Sequence, residues 1–183
     1  TMKIEKTKID GVLIIEPDVF SDDRGYFFES YNQKRYIDAG LSTVFVQDNI
    51  SKSMYGTIRG LHFQIGKSAQ GKLCQVLSGK VLDVAVDIRF GSPTFGQYVS
   101  VELNDENHKQ IWMPVGFAHG FSVLSDSAIF SYKCTSSYNK EDERSILYCD
   151  EDLGIDWKVS LKLVSDKDLK AKEFKNLEKY FIY

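Results

Sequence analysis

The stretch Lys72-Leu73-Cys74-Gln75-Val76-Leu77-Ser78-Gly79-Lys80-Val81-Leu82-Asp83-Val84-Ala85-Val86-Asp87-Ile88 decides the fold. Two runs rich in β-formers flank Leu77-Ser78-Gly79-Lys80, a tight hairpin signal. Similar short runs recur outward from it. Strands are expected at Val12 to Ile15, Tyr26 to Tyr31, Val44 to Ile50, Thr57 to Phe63, Gln97 to Leu103, Gln110 to Met113, Gly120 to Leu124 and Ala128 to Cys134. Asn104-Asp105-Glu106-Asn107 reads as another turn. Many short strands between turn signals indicate an all-β sandwich or barrel. Two helices are expected. Asn32 caps a short one ending at Gly40. A C-terminal extension, about 165–183, holds the other from Lys167 to Phe181, with Leu169, Phe174, Leu177 and Phe181 at helical spacing and Ser165 and Asp168 as an N-cap and N3 pair. The charged run Asn139 to Arg144 is expected to be a surface loop.

With 183 residues the chain is expected to form one domain, 1–183, burying about 70% of its unfolded surface. Its 43% hydrophobic and 27% charged residues exclude a disordered chain or coiled coil. Twenty-three basic against 26 acidic residues, with no Lys/Arg cluster, argue against a nucleic-acid partner. No apolar run approaches the ~20 residues of a membrane span, and Met2 to Lys6 lacks the stretch of a signal peptide. Cys74, Cys134 and Cys149 are odd in number and scattered, which speaks against a disulfide framework or zinc site and fits a reducing cytoplasm.

Alternation divides Val81 to Ile88 into a purely apolar face (Leu82, Val84, Val86, Ile88) and a face with two carboxylates (Val81, Asp83, Ala85, Asp87). Ala128, Phe130, Tyr132 and Cys134 share another face, where a buried phenol needs a partner. Two of the three histidines lie in suggestive contexts. Gly56-Thr57-Ile58-Arg59-Gly60-Leu61-His62-Phe63-Gln64 and Pro114-Val115-Gly116-Phe117-Ala118-His119-Gly120-Phe121 resemble the two cupin motifs. That resemblance implies a double-stranded β-helix, or jelly roll. A metal cupin has histidine where Gln64 stands and a glutamate shortly after. Residues 65–70 contain no carboxylate, so His62 and His119 fall short of a full ligand set. An unligated His62 suits a general base, the alternative being a buried structural histidine. Lys72, if turned inward, suits an enolate; Tyr132 suits the complementary acid; Asp168 either orients His62 or only caps its helix. Arg24 and Glu29 read as a solvated pair. Gln47-Asp48-Asn49 interrupts an apolar run and needs hydrogen bonds or a polar cleft. Arg59 and His62 lie on opposite faces of a regular strand, so sharing a pocket requires a bulge or a contact from outside the barrel.

Taken together the residues resemble the dTDP-4-dehydrorhamnose 3,5-epimerase family. The match rests on Phe20, Asp23-Arg24-Gly25, Phe27 and Glu29, on Gln47-Asp48-Asn49 and Arg59 to Gln64, on Gly71-Lys72 and Asp83 to Asp87, and on Ser92 to Gly96 and Gly116 to Phe121. It continues through Tyr132-Lys133, Tyr138, Glu143, Gly154 to Trp157 and Ser165 to Asp168. The resemblance implies a metal-free, cofactor-free cytoplasmic homodimer that inverts C3 and C5 of a dTDP-linked 4-keto-6-deoxyhexose. His62 matches the base, Asp168 its orienting carboxylate, Tyr132 the acid and Lys72 the enolate-stabilising cation. Phe20, Arg24, Phe27, Glu29, Gln47, Asp48, Asn49, Arg59, His119, Glu143 and Lys167 match substrate-contacting positions, and Tyr138 an aromatic near the base. Some N-terminal contacts in the family cross the dimer interface, which assigns Arg24 and Glu29 to the partner's site. Competing readings are a related 5-epimerase or 3,4-ketoisomerase, a metal-dependent cupin oxygenase, and a sugar-nucleotide-binding protein without activity.

Overall fold

A computed structural model describes residues 1–41 and 44–183. Its strands are β1 (Lys3–Lys6), β2 (Leu13–Glu16), β3 (Phe20–Asp22), β4 (Gly25–Phe27), β5 (Gln47–Met54), β6 (Ile58–Gln64), β7 (Lys72–Ser78) and β8 (Lys80–Asp87), followed by β9 (Arg89–Phe90), β10 (Tyr98–Asn104), β11 (Gln110–Met113), β12 (Phe117–Val123), β13 (Ser127–Cys134), β14 (Glu143–Ser145) and β15 (Phe181–Ile182). One sheet runs β1-β2-β11-β7-β13-β5 and the other β10-β8-β12-β6-β14. Neighbours far apart in sequence give the jelly-roll arrangement that the sequence implies. The tight turn at Gly79 (φ +83°) sends β7 into one sheet and β8 into the other.

The inner core lies between the sheets. Cys74, Val76, Ile111, Met113 and Phe130 face Val81, Ala85, Val99, Phe117 and Phe121. Phe121 stacks on Phe130 with ring centroids 4.3 Å apart. Each of the larger side chains (Val, Ile, Met, Phe) contributes roughly 1.5–3 kcal/mol by burial. The two faces of β8 separate as alternation predicts. Val81 and Ala85 join this inner core, with Asp83 and Asp87 on their side of the strand. The wholly apolar face (Leu82, Val84, Val86, Ile88) packs in a second core with Ile146, Tyr148, Leu153 and Trp157. Those residues follow β14 and cover the barrel from outside.

That cover explains the largest departure from expectation. Lys167 to Phe181 is not one helix. A single turn, α2 (Asp166–Leu169), is followed by a 3₁₀ turn at Phe174–Asn176 and by β15, which runs parallel to β9. Phe174, Leu177 and Phe181 pack on the outer core instead of lining a helix. Their spacing serves an extended tail lying across a sheet as well as it serves a helix. The short helix α1 (Gln33–Asp38) does form, with Asn32 Oδ1 accepting from Arg35 N at 3.2 Å. Asn139 to Arg144 is not a loop throughout, because Glu143 begins β14 and pairs with Gln64 of β6. The strand expected from Tyr26 to Tyr31 ends at Phe27, and the one expected from Val44 begins at Gln47.

Candidate active site

His62 sits on β6, with 31% of its side chain exposed. Its Nε2 lies 2.6 Å from Asp168 Oδ1. The other carboxylate oxygen accepts from Gly60 N at 3.2 Å. The capping role and the orienting role of Asp168 coexist, since its backbone N–H donates to Ser165 Oγ at 3.2 Å while its carboxylate turns to His62. Burial pushes the Asp168 pKa up. The His62 bond and charge, the Gly60 amide and Lys167 outweigh it and hold the carboxyl below its ordinary value. An ionised Asp168 accepts the Nε2 proton and leaves Nδ1 as the basic nitrogen. It is Nε2, not Nδ1, that the ring presents to the carboxylate.

The bulge required for Arg59 is present. His119 pairs with His62, and Phe121 pairs with Arg59, so three residue steps on β6 face two on β12. Gly60 makes the bulge sterically accessible. It lies at φ +142°, and a Cβ there would stand 2.6 Å from Gly120 Cα. Arg59 Nε thereby reaches Ser53 Oγ on β5 at 3.0 Å.

The facing sheet supplies Lys72 and Tyr132. Lys72 opens β7 and is 8% exposed, with Nζ 5.6 Å from the centre of the Tyr132 ring. It therefore points inward. Tyr132 pairs across the strands with Asn49, and burial pushes its pKa up to about 12, so the phenol stays protonated at neutral pH. His119, the paired neighbour of His62, lies 6.2 Å from Tyr132 ring to ring. Both histidines therefore lie on the side of their sheet that faces the phenol. Burial lowers the His119 pKa against the opposing effect of Asp83, whose Oδ2 lies 2.9 Å from Nε2. Asp83 Oδ1 is buried without a partner among the described residues. Cys74 Sγ lies 3.8 Å from the same Nε2.

Donor atoms of Cys74, Asp83 and His119 lie within 4.8 Å of one another. Sequence reasoning missed this grouping and paired His119 with His62 as the remaining donors. The inward face of β8 was the available signal. The set suits a cation poorly. The Lys72 charge already acts on Cys74 and His119, and burial raises the Cys74 thiol well above its ordinary pKa.

On β14, paired with β6, Glu143 bonds Lys167 at 2.6 Å and accepts from Tyr138 Oη at 2.9 Å. Burial raises the Glu143 pKa, but Lys167, Tyr138 and the His62 charge bring it below its ordinary value. Gln47 and Asn49 face inward and bond each other at 3.1 Å. Asp48, between them, turns outward to Lys133 at 2.9 Å and does not join the cluster. Phe20, Arg24, Phe27 and Glu29 also stay outside it. Phe20 and Phe27 pair across the β3–β4 hairpin, 61% and 69% exposed. Arg24 pairs with Asp22 and Glu29 with Arg35, so the expected Arg24–Glu29 pair does not form. The cluster thus sets an oriented imidazole on one wall against a phenol and an ammonium on the other, an arrangement for moving protons on and off carbon.

The sequence profile described as dTDP-4-dehydrorhamnose 3,5-epimerase matches residues 6–176. The chain is 53% identical over 182 residues to the dTDP-4-dehydrorhamnose 3,5-epimerase of Shigella flexneri, covering 99% of this chain and 100% of that protein. It is 55% identical over 172 residues to the Salmonella typhimurium protein of the same name, covering 93% and 94%. The crystal structure of a dTDP-6-deoxy-D-glucose-3,5-epimerase from Legionella pneumophila, in complex with dTDP-4-keto-L-rhamnose, superposes with a TM-score of 0.96 at 50% identity, covering 100% of this chain and 99% of that one. With sequence and fold in agreement, the chain belongs to the dTDP-4-dehydrorhamnose 3,5-epimerase family.

Proposed function

We infer that this protein, as a single cupin-type domain, converts dTDP-4-dehydro-6-deoxy-D-glucose to dTDP-4-dehydro-L-rhamnose by inverting C3 and C5. The observation that carries the reading is the 2.6 Å His62–Asp168 pair opposite Tyr132 and Lys72. The 4-keto group acidifies hydrogen on both adjacent carbons, so a base, an acid and an oxyanion partner suffice. His62 takes the proton from carbon, and the C–H electron pair moves into the enolate, whose negative charge falls on O4. Lys72 stabilises that oxygen, a contribution of about 3 kcal/mol for one preorganised donor. Tyr132, on the facing sheet, donates its hydroxyl proton to the opposite side of the carbon, forming the new C–H bond. Proton exchange with water then restores imidazole and phenol, and the second carbon follows the same route. Arg59, His119, Gln47 and Asn49 hold the sugar and its diphosphate; Tyr138, Glu143 and Lys167 hold the nucleoside end.

A homodimer completes the site in this reading. The β3–β4 hairpin forms its own small sheet, with Phe20, Phe27 and Arg24 exposed. Its length and exposure suit an arm that enters the partner's mouth. The free cysteines fit a cytoplasmic setting, and no described helix is long and apolar enough to cross a membrane.

Turnover in heavy water, followed by NMR, tests the chemistry. Deuterium is expected at both C3 and C5. The variant His62→Ala should lose turnover by at least the ~10²–10⁴-fold of a general base while still binding dTDP. Tyr132→Phe should exchange hydrogen without completing inversion. Unchanged turnover in His62→Ala, or label at one carbon only, overturns the assignment.

A further inference from the structure

Ser136, Ser137, Tyr138 and Asn139 form neither strand nor helix, yet a glutamine side chain holds the backbone of each. Gln70 Nε2 donates to Ser136 O at 2.8 Å. Gln64 Nε2 donates to Ser137 O at 3.4 Å and to Ser68 O at 3.2 Å. Gln47 Oε1 accepts from Tyr138 N at 2.8 Å, and Gln64 Oε1 accepts from Asn139 N at 2.8 Å. The consecutive amides of Tyr138 and Asn139 are thus gripped from opposite sheets, by Gln47 on β5 and Gln64 on β6. Fixing both amides fixes the peptide plane that aims the Tyr138 ring. That ring is 52% exposed and tethered at its far end to Glu143. Gln64 itself is 4% exposed, with oxygen and nitrogen both engaged. A buried amide in full use is costly to replace.

We propose that Gln64 is a positioning residue for nucleotide recognition: its side-chain amide, together with Gln47 and Gln70, clasps the 136–139 segment and sets the Tyr138 ring to receive the nucleoside base. This rests on the reading that Tyr138 meets the base. Gln64 occupies the place of a metal ligand in metal cupins, and here that position serves the wall of the base pocket. A clasp of this kind acts on the nucleoside end and leaves the reacting carbons alone. It also reduces the loop ordering that binding would otherwise require.

Calorimetric titration of the full chain with dTDP and, separately, with inorganic pyrophosphate tests this, alongside turnover with the sugar nucleotide. In Gln64→Met, Kd for dTDP and KM should rise about tenfold, while kcat and the affinity for pyrophosphate stay as in the parent. The variant Gln64→Glu keeps the acceptor for Asn139 N but sets a carboxylate against the two carbonyls, and should lose dTDP affinity likewise. In a Tyr138→Ala background, Gln64→Met should add no further loss. A full further loss there, or a fall in kcat and pyrophosphate affinity to match, reduces Gln64 to general support and overturns the proposal. So does unchanged dTDP affinity in either Gln64 variant. Unchanged dTDP affinity in Tyr138→Ala alone instead removes the base contact on which the proposal rests.

Discussion

His119 and Asp168 hold their charge states by different means, and pH separates them. Burial is the first cause of the lowered His119 pKa, opposed by Asp83 and reinforced by the nearby Lys72 and His62 charges. Below its ordinary value of 6.5 the unfolded chain gains a proton there that the folded chain resists. Stability should therefore fall as pH drops below about 6.5, with a slope of up to about 1.4 kcal/mol per unit from this one group. The Asp168 carboxyl, also held below its ordinary value of 3.8, contributes stability that is complete above that value and lost at lower pH. Thermal melts across pH should show both windows. His119→Gln should flatten the first and leave the second; an unaltered slope between pH 6.5 and 5 would remove His119 from the account. Side-chain direction was largely legible in the sequence, because alternation sends Asp83 and Tyr132 to definite faces. The choice of Nε2 as the nitrogen facing Asp168 was not, since ring orientation follows from a contact 106 positions away in the chain.

At the level of elements, the bulge in β6 decides whether Arg59 and His62 serve one cavity. The sequence shows the need for it but not its location, which depends on Gly60 lying against Gly120. A Cβ at residue 60 meets Gly120 Cα at 2.6 Å and His119 O at 3.0 Å, from a backbone at φ +142°. Gly60→Ala should destabilise by roughly 2 kcal/mol and should depress turnover further by misplacing Arg59 and His62. Urea melts and kinetics on the same preparation check both. Leu169, Phe174, Leu177 and Phe181 satisfy a helical period, yet the C-terminal tail is not one helix. The use of Phe174, Leu177 and Phe181 is set by the apolar outer face of β8, a long-range partner that local periodicity cannot reveal, while Leu169 stays exposed. Glu143 in a strand is hidden from local sequence for a similar reason: β14 is three residues long and owes its existence to β6.

Across the whole molecule, the exposed β3–β4 arm carries residues that the family resemblance assigns to binding but that stay away from the cluster in their own chain. In the proposed homodimer, mixed dimers decide the matter. In an Arg24→Ala/His62→Ala heterodimer, an arm that crosses pairs one intact arm with one intact histidine, and about half of the parent activity should return. If each arm serves its own chain, both sites stay defective and no activity returns. Either homodimer alone should be nearly inactive or weak, and the mixing assay reads the gain above that level.

The segment that seals the outer wall of the barrel also brings Asp168. Ribosomes deliver that segment after every strand it covers. Until it settles, His62 lacks the carboxylate that turns it; on the proposed mechanism catalytic competence is therefore a late event of maturation, and a half-finished chain should be chemically quiet toward ketones.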